Sequence, residues 1–198
     1  MVPGTFYHIY NHANGSENLF RVDENFRFFL QQWNKFIEPV AEMYAYCLMP
    51  NHIHVLIKTK NEKELSNLTG FRNLSGLNDT KKLISQHFSN LFNSYTKAYN
   101  KMYERRGSLW NRPFKAKEIT SDSYLTNVIF YIHHNPVHHG FTRRIEDWPH
   151  NSYPVLLADK TTKLRRKAII EWFGNKEEMV RFHQQTLMDL NELEIKFT

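Results

Sequence analysis

Only one cysteine occurs among the 198 residues, Cys47, inside the apolar stretch MYAYCLM. A single thiol cannot close an internal disulfide, and one set among apolar neighbours reads as packing rather than as a nucleophile. Long hydrophobic runs are missing too: no stretch approaches the roughly 20 apolar residues that a membrane span needs. The opening MVPGTFYHIYNH has no basic segment leading into a long apolar run, so no secretion signal is read there and a cytoplasmic setting is expected. No GxxxxGKS or GxxxxGKT phosphate loop occurs, so no ATP site is evident. Repeats and low-complexity tracts are absent, and the length favours one domain.

What is present is a core's worth of apolar residues (41%) and an excess of positive charge, +6 from 26 Lys and Arg against 20 Asp and Glu. A basic chain suits a polyanionic partner. The excess is concentrated in Lys97, Lys101, Arg105, Arg106, Arg112, Lys115 and Lys117, opposed by Glu104 alone. Tyr99, Tyr103, Trp110 and Phe114 are interleaved with them. Cations suit phosphates and flat rings suit unstacked bases, which points to nucleic acid. The plainer reading is a solvated basic helix end with core aromatics.

Residues 5–13, TFYHIYNHA, alternate as a strand, and Asn14-Gly15-Ser16 supplies a turn. From Asp23 as N-cap a helix is expected, with Phe26, Phe29, Leu30, Trp33 and Ile37 on one face and Pro39 ending it. EMYAYCLM and HIHVLIK read as antiparallel strands around Pro50-Asn51. Residues 59–79 are polar, with at most a short helix in EKELSNL; they read either as a DNA-hairpin-reading loop or as a plain connector. From Thr80 a long amphipathic helix presents Ile84, Phe88, Leu91, Tyr95, Ala98 and Met102. A short strand with Phe114, Ala116 and Glu118 alternating follows. The next helix, capped by Ser121 or Asp122, is closed by Pro136. A basic segment (160–167) and one or two polar helices complete the chain. This order suits an α+β fold, a central antiparallel sheet with helices packed on it.

The stretch MPNHIHVLI carries the first chemical signal. Side chains alternate along a strand, so His52 and His54 share one face, pointing outward, while Ile53, Val55 and Ile57 point into the core. Two imidazoles so placed can share a divalent cation, with a third ligand from another element. The alternative is two satisfied polar residues on a sheet face. In the helix over 121–135, Tyr131 and Asn135 stand one turn apart on one face. The Asn135 amide oxygen suits Mg²⁺ or Mn²⁺, and the Tyr131 hydroxyl would lie beside the ion. Tyr124, seven residues earlier, competes for that role, but Val128 rather than an amide follows it by one turn. His133, His134, His138 and His139 could be read as zinc ligands. Pro136 breaks their spacing, and phosphate contacts or plain solvation suit most of them better.

Four motifs in order, MPNHIHVLI, GSLWNRPFKAKEI, YIHHNPVHHGF and DWPHNSY, resemble the single-tyrosine HUH transposases (IS200-like), most closely the REP-associated tyrosine transposase branch. The likeness runs from about residue 5 to 153. It implies a ferredoxin-like core with the HUH histidines on a central strand, in a domain spanning 1–155, with 156–198 a basic, helical extension of that domain. It implies a metal-dependent endonuclease and strand transferase acting on single-stranded or hairpin DNA such as REP-like repeats, as a monomer or homodimer, nucleoid-associated when bound. By position, His52, His54 and Asn135 would hold the metal. Tyr131 would attack the phosphodiester, giving a 5′-phosphotyrosyl link and a free 3′-hydroxyl. After the proline the chain has VHHGF where such proteins often carry an arginine, so His138 or His139 is expected to take a phosphate contact. Two other functions compete: a domesticated hairpin-DNA-binding protein that no longer cuts, and a hydrolase of small phosphoesters using activated water.

Overall fold

In the computed structural model, which describes residues 1–68 and 77–184, the alternating segment becomes strand β1 (Phe6–His12). The following turn carries Gly15 at a φ of 62°, a left-handed conformation that glycine adopts without strain. Helix α1 (Asp23–Phe36) starts one residue earlier than expected, with Val22 as N-cap. Valine has no acceptor to offer, and Asn25 Oδ1 instead accepts from the backbone N–H groups of Arg21 and Val22. Strands β2 (Ala41–Met49) and β3 (His52–Thr59) form the antiparallel pair around Pro50-Asn51, with a bulge between Met43 and Ala45.

Helix α2 (Glu62–Ser66) is capped by Asn61, and the long helix α3 (Leu77–Met102) follows. Strand β4 (Lys115–Ile119) leads to α4 (Asp122–His138). A short 3-10 turn (Ile145–Asp147) precedes α5 (Ser152–Leu157), α6 (Arg166–Trp172) and α7 (Lys176–Gln184). The four strands run β2-β3-β1-β4, every neighbouring pair antiparallel. Two interleaved strand-helix-strand units, β1-α1-β2 and β3-α3-β4, produce that order, which is the ferredoxin-like arrangement.

Register decides which residues share a face. Ile9 lies opposite Val55, Tyr7 opposite Ile57 and Asn11 opposite Ile53. Ile9, Ile53, Val55 and Ile57 are at most 1% exposed. The paired helices α1 and α3 cover this side, with Phe26, Phe29, Trp33 and Ile37 from one and Ile84, Phe88, Leu91 and Tyr95 from the other. Burying one such aliphatic side chain contributes about 1.5–3 kcal/mol. Helix α4 crosses the opposite side, over β2 and β3.

Four details differ from the sequence reading. The buried stripe of α3 continues from Tyr95 to Tyr99, not through Ala98 to Met102, which is 55% exposed: at this point a step of four follows the helix better than a step of three. Ala116 and Glu118 are exposed because β4 is the edge strand, and Ile119 is its buried residue. Pro136 does not close α4, which runs on to His138. Inside the helix proline lacks an N–H and crowds the carbonyl one turn back, yet the helix continues, and its end is closed by the His139 N–H donating to Asn135 O and the Phe141 N–H to Pro136 O. Finally, His52 and His54 do not face outward. They are 2% and 3% exposed, beneath α4.

The segment after residue 155 packs back on the sheet. Trp172 stacks on Tyr44 with centroids 5.1 Å apart, and Leu164, Ile169 and Met179 are buried. Of the hairpin-reading loop expected over 59–79, residues 69–76 lie outside the described residues, as do 185–198 of the C-terminal extension.

Candidate active site

The antiparallel ladder puts more on the histidine face than β3 alone. His12 stands opposite His52, Tyr10 opposite His54, and His8 opposite Leu56. His8, Tyr10 and His12 therefore project to the same side. His8 Nε2 and His54 Nδ1 are 3.0 Å apart, sharing a proton as donor and acceptor. The His12 and His52 rings stack at 4.8 Å, and those of Tyr10 and His54 at 6.0 Å. Sequence reasoning did not assign His8, Tyr10 or His12 to the site. The signal was the alternation H-x-Y-x-H in the first strand, which acquires meaning only once that strand pairs with β3.

Helix α4 lowers Tyr131 onto this layer. Its ring meets His54 edge-on, centroids 5.4 Å apart at 89°, and His8 at 5.9 Å and 79°. One turn on, the Asn135 amide nitrogen donates to the Tyr131 carbonyl oxygen at 2.8 Å. This back-bond holds the amide, and Asn135 Oδ1 is left buried without a hydrogen-bond partner among the described residues. His52 Nε2 is in the same condition. Its other nitrogen, Nδ1, lies 2.8 Å from Asn51 Oδ1 and donates to it, so the Nε2 lone pair is the one presented. The bond with His8 does the same for His54 when Nδ1 carries the proton. Tyrosine, both predicted histidines and the amide thus come together within one chain.

Two buried acceptor atoms lacking donors require an explanation, and a cation supplies one. Among the described residues no three His, Cys, Asp or Glu side chains are placed to hold a metal ion. The donor set is instead His52, His54 and the Asn135 amide oxygen, whose chemistry fits a divalent ion, with remaining positions left for phosphate or water. The electrostatics agree. Burial drives His52 down to about 3, helped by His12 and His139 and opposed by the adjacent Asn135. Burial, then His8 and the other imidazoles, holds His54 well below its ordinary value. Both stay neutral, as ligands must be. Burial pushes Tyr131 up to about 12, offset in part by Asn135, so its phenol rests protonated.

The remaining predicted residues are distributed unevenly. Lys97, Lys101, Arg106, Arg112, Lys115 and Lys117 are exposed. Lys115 opposes Tyr10 and Lys117 opposes His8, so both lie on the histidine face; Lys117 Nζ also reaches Tyr124 Oη at 3.2 Å. Arg105 is a strap: it pairs with Glu17 at 3.2 Å and donates to Asn100 and to the Ser108 carbonyl. The interleaved aromatics do not form one continuous open platform, and only Phe114 among them is half-buried beside a cleft. Tyr99 and Trp110 are buried, and Arg21 lies over the Tyr103 ring at 4.6 Å.

The histidine run splits in two. His133 is buried between Ser152 Oγ (2.8 Å) and His183 Nε2 (2.9 Å), and His134 stacks on Phe130 at 3.9 Å. His138 and His139 are exposed, and the His139 ring stands 4.8 Å from His52, at the rim of the site. In the tail, Lys163 pairs with Glu38 and Arg165 with Glu42, while Arg166 donates to the carbonyls of Val155 and Lys160.

Comparisons with known proteins bear on the fold and the family. Residues 4–135 match the family described as "Transposase IS200 like". A Haemophilus influenzae protein described as a REP-associated tyrosine transposase is 29% identical over 113 residues, 57% of this chain. The match spans 58% of that relative's length. Among solved structures, a REP-associated tyrosine transposase bound to a REP hairpin superposes with a TM-score of 0.59 at 15% identity, over 80% of this chain and 82% of the other. That likeness is one of fold. With a family match covering most of the chain and residues through Asn135, this protein belongs to the IS200-like transposase family.

Proposed function

We propose that the protein is a divalent-metal-dependent endonuclease and strand transferase for single-stranded DNA, with Tyr131 as its nucleophile. The observation that carries this reading is Tyr131 standing edge-on to His54 while His52 Nε2 and Asn135 Oδ1 lie buried and unpaired nearby. His52, His54 and Asn135 would hold Mg²⁺ or Mn²⁺. Bound there, the ion polarises a DNA phosphate and stabilises charge on the departing oxygen.

The chain's own residues do the rest. Asn51 and His8 set the tautomers of the two histidines. Helix α4 aims the Tyr131 hydroxyl. Its oxygen attacks phosphorus, the bond to the 3′ oxygen breaks, the phenol loses its proton and the 3′ oxygen gains one. The product is a 5′-phosphotyrosyl link with a free 3′-hydroxyl, and return attack by a 3′-hydroxyl rejoins strands without ATP. His139 at the rim, with Lys115 and Lys117 on the same face, would take neighbouring phosphates. A DNA hairpin with a single-stranded flank, of the REP type bound by the structural relative, is the substrate class favoured. One chain supplies every named group, so a monomer suffices, acting at the nucleoid. Residues 1–155 carry the site and residues 156–184 brace it.

The test is incubation with hairpin oligonucleotides from the chain's own genomic flanks and Mn²⁺ or Mg²⁺. A protein–DNA adduct stable to denaturation is expected, lost in Tyr131→Phe and without metal. Salt-sensitive binding with no adduct would favour the non-cleaving reading. Metal-dependent cutting that survives Tyr131→Phe would favour the water-using hydrolase.

A further inference from the structure

A cleft of about 420 Å³ opens on the other side of the sheet from the histidines. Asn11, Phe92, Asn93, Trp110, Arg112 and Phe114 line it. That volume lies in the range of small-ligand sites, about 300–1,000 Å³. Its lining combines flat rings with amides and a cation. Trp110 is 4% exposed, yet its Nε1–H has no acceptor among the described residues. A buried donor left unpaired is costly unless something else accepts from it. Arg112 donates to Asn93 Oδ1 at 3.3 Å, joining the loop to α3 beside this floor.

The cleft and the candidate active site share strand β1. Asn11 and His12 are neighbours in β1 and face opposite sides of the sheet. The Asn111 N–H donates to the His12 carbonyl at 2.9 Å, and Trp110 bridges Ala13. The segment from Trp110 to Phe114 therefore runs along the end of β1 and continues as edge strand β4. Lys115 sits on the histidine side of that edge and Arg112 on the cleft side. A single strand leaving the site past Lys115 meets Arg112 after crossing one strand's edge.

We propose that this cleft receives one unstacked nucleobase of the DNA strand being processed, held against Phe92, Trp110 and Phe114 with a base carbonyl accepting from Trp110 Nε1. The inference rests on the DNA reading above and adds to it a base-specific contact away from the chemistry. Stacking on such rings is sequence-tolerant, while the amides of Asn11 and Asn93 give the cleft means to prefer one base edge.

The test uses the full chain in metal-free buffer, so that no strand is cut. Labelled dodecamers of dA, dC and dT are titrated alongside a dodecamer of abasic tetrahydrofuran residues, which keeps the phosphates and lacks bases. At least one homododecamer is expected to bind about tenfold tighter than the abasic chain. Ser89→Trp and Asn93→Trp, at two exposed α3 positions that line the cleft, should each fill it and bring that ratio close to one. A ratio near one in the unaltered protein, or one that survives both substitutions, overturns the proposal. The Tyr131-dependent adduct is scored separately. An adduct without base preference removes the cleft and leaves the nuclease; base preference without an adduct does the reverse.

Discussion

The two faces of strand β3 are buried to the same degree and do opposite work. On one, Ile53, Val55 and Ile57 close against the α1–α3 layer, every atom satisfied by dispersion and exclusion of water. On the other, His52 and His54 lie under α4 with His8, His12 and Tyr10 around them, and His52 Nε2 and Asn135 Oδ1 have no hydrogen-bond partner among the described residues. Solvent exposure cannot tell these faces apart. What separates them is whether the buried groups are complete without a ligand. The Ile53, Val55 and Ile57 side chains are, and hold the fold together. The histidine face is not, and is where a ligand is called for.

Substitutions on the two faces should fail in different ways. Ile53→Ala removes buried volume from the dry face and should cost about 2–5 kcal/mol of unfolding free energy. Denaturant titration measures this, and metal affinity of the folded fraction should stay unchanged. His8→Ala acts on the other face, by releasing His54 from its hydrogen bond. It should weaken Mn²⁺ binding about 10- to 100-fold, read by calorimetry, with a smaller loss of stability. Equal loss of both properties in both variants would erase the distinction between the faces.

Acid should expose a third layer, behind α4, where burial lowers His183 to about 3 against its ordinary 6.5. The unfolded chain then binds a proton that the folded chain refuses. Stability supplied by neutral His183 is complete above about pH 6.5 and is lost as pH falls toward 3. Thermal midpoints measured across that window should fall, and His183→Gln, which cannot titrate, should fall less steeply. The smallest effect separates surface cations. Lys115→Ala, on the histidine face, should lower the salt dependence of DNA binding by about one unit of slope. Lys97→Ala, on the exposed side of α3, should leave the slope unaltered.

How much of this could be read beforehand follows from how local each signal is. The β2–β3 hairpin, the shared face of His52 and His54, and the pairing of Tyr131 with Asn135 all depend on periods of two or four within a single element. His8, Tyr10 and His12 needed the β1–β3 register, a contact across some 45 residues of chain, to join the site. The end of α4 was misread for another reason. Pro136 was expected to end α4, whereas the helix continues for two residues and brings His139 to the rim beside His52. The aromatics between 99 and 114 carried the right composition for base stacking but mostly serve the core. Trp110, with its N–H lacking an acceptor among the described residues, and Phe114 keep a link between those two roles by lining the cleft.

The central claim is that His52, His54 and Asn135 are incomplete without a divalent ion. Mn²⁺ titration followed by electron paramagnetic resonance addresses it without any DNA. One bound ion per chain is predicted, lost in His52→Ala and in Asn135→Ala while Ile53→Val retains it. Binding that persists in both site variants, or no binding in the unaltered protein, would contradict the account.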